Sequence, residues 1–207
     1  MSLQQIKFMS QKYSLIKSLA KKKGILRPRD LSEYNIHREY LTRLCELGQL
    51  EKIGRGLYTL PNLEIDENLS LAQVSKSIPN STISLLSALR FHNLTTQLPF
   101  EVWIAIPNKA HQPSLTEISI RVVRFSGKAL SEGIDEHLIL GVKVPIYNPA
   151  KTIADCFKYR YKIGIDVALE ALREGWQNDY YTLDDLWYYS KICRVTNVIK
   201  PYLESLV

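Results

Sequence analysis

Residues 24–61 read GILRPRDLSEYNIHREYLTRLCELGQLEKIGRGLYTLP. Pro28 stands where a first helical turn tolerates proline, and Asp30 follows in that turn. The short helix gives way at Asn35, a residue that accepts the left-handed backbone of a tight turn. A second helix, HREYLTRLCELG, places Tyr40, Leu41, Leu44 and Leu47 on one side and stops at Gly48. Arg38, Glu39, Thr42, Arg43 and Glu46 occupy its other side. From Leu50 to Leu60 the pattern alternates around Gly54-Arg55-Gly56, which predicts a tight hairpin with a cation at its tip. Helix, turn, helix and hairpin in that order predict a winged helix-turn-helix.

Upstream, Tyr13, Ile16, Leu19 and Ala20 recur at helical spacing between Phe8 and Lys23, and Gly24 ends the helix. Charge marks the same region. Residues 1–61 hold 12 Lys+Arg against 5 Asp+Glu, while the remainder holds 15 against 16. All the excess positive charge therefore lies in the first third of the chain, as expected of a polyanion-binding module joined to a near-neutral domain. In a helix-turn-helix the start of the second helix meets base edges. That assigns base reading to His37, Arg38, Thr42 and Arg43, since arginine's planar fork matches guanine O6 and N7. Phosphate contacts fall to Lys21, Lys22, Lys23, Arg27, Arg29, Lys52 and Arg55.

The domain division read from the sequence is 1–62 for the winged helix-turn-helix and 63–207 for the rest, with an acidic linker, NLEIDEN, at 62–68. Beyond it, 69–78 and 84–92 read as helices. EVWIAIP, ISIRVVRF and VKVPIYNP read as strands. Asn148 and Pro149 open another helix, KTIADCFKYRY. Helices follow at 164–175, after the Thr182-x-x-Asp185 capping box, and from Val195, kinked or restarted at Pro201. The expected class is α+β: a winged helix-turn-helix followed by a mixed α+β domain with a small sheet and several helices.

The sequence gives little sign of catalysis. It has no phosphate-binding glycine loop and no G-x-S-x-G elbow. His37, His92, His111 and His137 stand without a second ligand three or four residues away, so neither a metal nor a cofactor is expected. Cys45, Cys156 and Cys193 read as free thiols of a reducing cytosol. The longest apolar runs are too short to span a bilayer, and the first residues lack a secretory pattern. A cytoplasmic protein with no membrane partner is expected. A nuclease is the enzymatic alternative, for which Asp135 and Glu136, before a strand ending at Lys143, are the candidates; otherwise the two read as a helix-terminal acidic pair facing water. Asp155 and Lys151, one helical turn apart, read first as a structural pair. Together with Arg121, Arg124, Lys158 and Arg160 they also mark a possible functional surface on the second domain. The dense aromatics Trp176, Tyr180, Tyr181, Trp187, Tyr188 and Tyr189 suggest either core or a partner-binding patch.

LTRLCELGQLEKIGRGLYTLP resembles the AbiEi-type antitoxins, with G-R-G-L-Y-x-L-P as the closest match. SLLSALRFHNL, EVWIAIP and GVKVPIYNPAKTIADCF resemble that family's second domain in the family's order. Asn35 stands where many relatives have glycine, and Ala150 interrupts the P-x-x-T segment. The resemblance implies a transcriptional regulator of abortive-infection, type IV toxin–antitoxin systems. Such a protein would bind double-stranded DNA at inverted repeats in its own promoter. It would counteract a nucleotidyltransferase-like toxin without requiring direct contact with it.

Overall fold

A computed structural model describes residues 3–61 and 68–204. Except for Asn68, the acidic linker expected at 62–68 lies outside them. The chain divides into two compact units. One comprises residues 1–77 with 138–143, and the other residues 78–137 and 144–207.

The first unit opens with helix α1 (Leu3–Lys23), a 3-10 helix (Pro28–Tyr34) and α2 (Glu39–Glu46). Ile16, Leu19 and Ala20 of α1 pack with Leu31, Ile36, Leu41, Leu44 and Leu50 into one buried cluster, so the helical spacings do face a common core. Tyr13 meets Tyr40 edge to face, with 5.8 Å between centroids. Leu47, expected on this apolar side, is instead 57% exposed. It lies one residue beyond α2, at φ −82° and ψ 2°, where the helical direction no longer holds. Asn35 adopts φ 52° at the end of the 3-10 helix, the left-handed turn read from the sequence. Gly24 does likewise at φ 65°. A Cβ at Gly24 would stand 1.5 Å from the carbonyl oxygen of Leu140, in the segment that belongs to this unit.

Strands β1 (Glu51–Gly54) and β2 (Leu57–Thr59) form the antiparallel hairpin, with an irregularity between Lys52 and Gly54. Gly56 supplies the positive φ, 70°, at the second turn position. Leu26 forms an isolated antiparallel bridge to β2, donating to Tyr58 O at 2.7 Å and accepting from Tyr58 N at 3.0 Å. Helix α3 (Leu69–Ser77) also belongs to this unit; Gln73 Nε2 donates to Ile53 O at 3.0 Å.

The second unit is built on a sheet in the order β5-β4-β3-β7-β6. The strands are β3 (Thr82–Ile83), β4 (Val102–Pro107), β5 (Ile120–Phe125), β6 (Ile134–Ile139) and β7 (Val142–Tyr147). The pairs β4–β5 and β3–β7 are parallel, and β3–β4 is antiparallel, so the sheet is mixed. Helices α4 (Leu85–Phe91), α5 (Lys128–Ser131), α6 (Pro149–Lys158), α7 (Arg160–Ile163), α8 (Ile165–Gln177), α9 (Leu183–Cys193) and α10 (Thr196–Glu204) complete the described chain. Most of α6 is buried, its Ile153, Ala154 and Phe157 packing with Leu172 of α8 and Leu186 of α9. Asn148 caps α6 by accepting from Lys151 N at 2.9 Å. Thr182 and Asp185 form the capping box that opens α9. Pro201 lies inside a single α10 rather than at a restart. Glu170 of α8 clamps the segment after α4, accepting from Thr95 Oγ1, Thr96 N and Thr96 Oγ1, each at 2.9 Å.

His92, just after α4, lies with Nε2 2.8 Å from the carbonyl oxygen of Tyr147, which places the proton of the neutral ring on Nε2. Burial, helped by nearby His137, lowers its pKa; the Tyr147 carbonyl and Asp135 oppose that shift less strongly. The folded state thus favours the neutral ring. The resulting stability is fully present above the unfolded value of about 6.5 and is lost as pH falls towards the depressed folded value. In a melting series from pH 8 to pH 5, Tm should fall over the acidic part of the range. His92→Gln should flatten that fall; an identical profile would remove His92 as its cause.

Candidate nucleic-acid interface

Helix α2 starts at Glu39, so His37 and Arg38 stand in the turn before it rather than in its first turn. The turn is closed by Tyr40 N to His37 O at 3.1 Å and Leu41 N to Arg38 O at 3.0 Å. His37 Nδ1 accepts from Glu39 N at 3.3 Å, which leaves its Nε2 as the outward-facing nitrogen for a ligand. Arg38 and Thr42 are exposed. Arg43 is also exposed, but it is ion-paired with Glu39 one turn earlier and lies over the Tyr40 ring at 5.9 Å. The hydrogen bond to Glu39 raises its pKa further.

Between this turn and the wing lies a cleft of about 490 Å³, lined by Pro28, His37, Arg38, Glu39, Thr42, Gly56 and Tyr58. Three of the four base-reading candidates therefore share one concavity with the wing, and Arg43 is not among its lining residues. Lys52 and Arg55 are exposed on the wing. A hairpin tip with a free arginine beside a polar helix start has the chemistry to hold a phosphate while side chains reach base edges.

The other expected phosphate contacts divide into two groups. Lys21, Lys22 and Arg29 are exposed. Lys23 lies 3.5 Å from Asp30, and Lys76 lies 3.6 Å from the same carboxylate. Arg27 donates from its backbone N to Asp30 Oδ2 at 2.7 Å and from its guanidinium to Lys76 O. Burial lowers the pKa of both Arg27 and Lys76. Asp30 thus ties Lys23, Arg27 and Lys76 into an internal network, and the cations of Lys23 and Arg27 are partly spent within the unit. Sequence reading missed this network and the cleft-lining roles of Glu39 and Tyr58. The i, i+4 spacing of Glu39 and Arg43 was the one available signal.

In the second unit, Lys151 and Asp155 are completely buried and form an ion pair, so neither contributes to a surface. Thr152, Cys156 and Phe157 of α6 are equally enclosed. Cys193 Sγ donates to Asp155 Oδ1 at 3.1 Å. The Lys151 ammonium lies over the rings of Tyr147 at 4.1 Å and Phe125 at 4.7 Å. Burial pushes the Asp155 carboxyl up, and Lys151 pulls it back. Arg121 pairs with Glu101 at 2.9 Å, while Arg124 donates to the carbonyls of Pro107, at the end of β4, and of Asn108 and Ala110 in the segment between β4 and β5. Asp135 and Glu136 are exposed on β6 rather than ending a helix.

Among the described residues, no three His, Cys, Asp or Glu side chains group so as to hold a metal ion. Cys45 is half-buried and Cys156 and Cys193 are buried, all three as free thiols. The aromatic cluster belongs mainly to the core: Tyr181 is buried, with its hydroxyl donating to Leu172 O at 2.7 Å. Trp176, Trp187 and Tyr189 pack against the same core, leaving Tyr180 and Tyr188 exposed. No helix among the described residues is long and apolar enough to cross a membrane.

Residues 14–61 match the family model described as "Transcriptional regulator, AbiEi antitoxin". The match begins within α1 and ends just past β2, taking in the whole cleft between α2 and the wing. No curated protein matches the chain.

Proposed function

We propose that this protein is a DNA-binding autorepressor and the antitoxin of a type IV toxin–antitoxin system, and that it is not an enzyme. Residues 1–62 serve as the DNA-binding domain and residues 63–207 as the antitoxin domain. The observation that carries the reading is the cleft between α2 and the wing, where His37, Arg38 and Thr42 face Gly56 and Tyr58 within the segment that matches a regulator family. Arg38 and Thr42 read bases, joined by His37, and Arg55 and Lys52 grip the adjacent phosphates. Lys21, Lys22 and Arg29 add peripheral phosphate contacts.

The antitoxin role, directed against a nucleotidyltransferase-like toxin, is supported by the family of the N-terminal match and by the sequence resemblance of the second domain. The operator is a pair of inverted repeats upstream of the protein's own gene, so two copies would read the two half-sites.

The test is a gel shift with the DNA upstream of the gene, performed at about 50 and 200 mM salt. Five phosphate contacts per copy predict a fall in affinity of roughly 500-fold over that range. A shift that resists salt, or none at the lower concentration, would overturn the DNA-binding reading. Co-expression with the neighbouring toxin gene tests the second half: growth should be rescued by the full chain.

A further inference from the structure

The second unit contains a cleft of about 790 Å³ that takes no part in the proposed DNA contacts. Five cationic residues line it, Arg124, Lys128, Lys158, Arg160 and Arg194, and no carboxylate does. Three of these cations are already engaged. Arg124 donates to Ala110 O at 2.8 Å and Asn108 O at 3.0 Å, Arg160 donates to Phe157 O at 2.9 Å, and Lys128 lies 3.6 Å from Glu132. Lys158 and Arg194 are exposed, and neither forms an ion pair among the described residues, although the Lys158 ammonium lies 5.6 Å from the Phe125 ring centroid. Of the apolar lining, Phe125 and Val195 are almost fully buried, and Ile192 and Val198 are half-buried and present hydrocarbon to the cleft.

Two backbone features point into the same cleft. Arg194 ends α9 at φ 60° and ψ 42°, a position that glycine or asparagine normally fills. Arg194 thus places a cation at the rim on a backbone conformation that costs an L residue energy. Gly127, at φ 54° and ψ −142°, has no atom within 4 Å of the place a Cβ would take, so its main chain faces open space.

We propose that this cleft binds a small phosphorylated ligand with an apolar body, of the nucleoside phosphate class. Lys158 and Arg194 take the phosphates, and the side formed by Ile192 and Val198 takes the base. A duplex backbone offers phosphates without an apolar group, and so leaves the hydrocarbon wall unused. The volume falls within the range of small-molecule sites.

The experiment uses the full chain in calorimetry with ATP, GTP, adenosine and inorganic triphosphate. At least one of the two nucleotides should saturate at one per chain, with adenosine and inorganic triphosphate each weaker by about tenfold or more. The double variant Lys158→Ala, Arg194→Gly should lose nucleotide affinity by about tenfold or more. Its Tm should stay level or rise, because glycine suits the left-handed backbone at position 194. Its promoter gel shift should be unchanged, which separates this site from the DNA-binding reading. Four results would overturn the proposal: no heat with either nucleotide at millimolar concentration, undiminished binding by the variant, inorganic triphosphate binding as well as the nucleotide, or displacement of the nucleotide by a non-operator duplex.

Discussion

Asp155→Ala should destabilise the second unit by about 3–5 kcal/mol, because it leaves the ammonium of Lys151 buried without its counter-charge. Both side chains have no solvent exposure. The same substitution takes the acceptor from the Cys193 thiol. The rings of Tyr147 and Phe125 compensate the cation only in part, since such contacts, about 2 kcal/mol or somewhat more each when desolvated, do not replace a full counter-charge against the several kcal/mol that burying an ion costs. Replacing the pair together, Lys151→Met with Asp155→Leu, should be far milder and could even stabilise. Urea unfolding of the full chain measures both. A single variant within about 1 kcal/mol of the parent, a typical surface-pair value, would show that the pair is not ionised in the folded protein. The contrast between single and double variants tests the cause as well as the size of the effect.

Arg38→Ala should weaken binding to the promoter by about 1–3 kcal/mol, roughly 5- to 150-fold, and relax sequence preference at one base pair of each half-site. Arg55→Ala should weaken operator and unrelated DNA alike and reduce the salt slope by about one. Arg43→Ala should have the smallest effect of the three. Its guanidinium is already paired with Glu39, so DNA gains only the difference between two partners. Gel shifts with the operator and a scrambled duplex at several salt concentrations distinguish these outcomes. Equal losses on both duplexes for Arg38→Ala would move that residue from base reading to phosphate contact.

The winged helix-turn-helix was legible because each of its parts is local. The apolar spacing of Ile16 and Leu19, the turn at Asn35 and the Gly54-Arg55-Gly56 tip each declare their structure within a few residues. The Asn148 cap and the Thr182 capping box were legible for the same reason. Strand β3 was not, since Thr82–Ile83 is too short to show a period. Strand β6 carries Asp135, Glu136 and His137 along an exposed margin of the sheet, where charge suits an edge but hides the alternation of a strand. Within the candidate interface, the residue types were readable while their commitments were not. Only the fold brings Lys76 to Asp30 and so draws Lys23 and Arg27 into an internal network. Lys151 and Arg121 likewise look alike in sequence, yet one is wholly enclosed and the other lies at the surface.

The shortest strand of the sheet has a consequence for how the chain is made. Ile83 of β3 pairs in parallel with Ile146 of β7, far downstream, whereas β1 and β2 meet across a single turn. On a ribosome α2 and the wing can assemble while most of the second unit is still unsynthesised. The sheet must wait for β7, and contacts closed over so long a loop form slowly. Each new molecule therefore acquires its helix-turn-helix and wing first and passes through an interval in which the middle of the sheet has one neighbour missing.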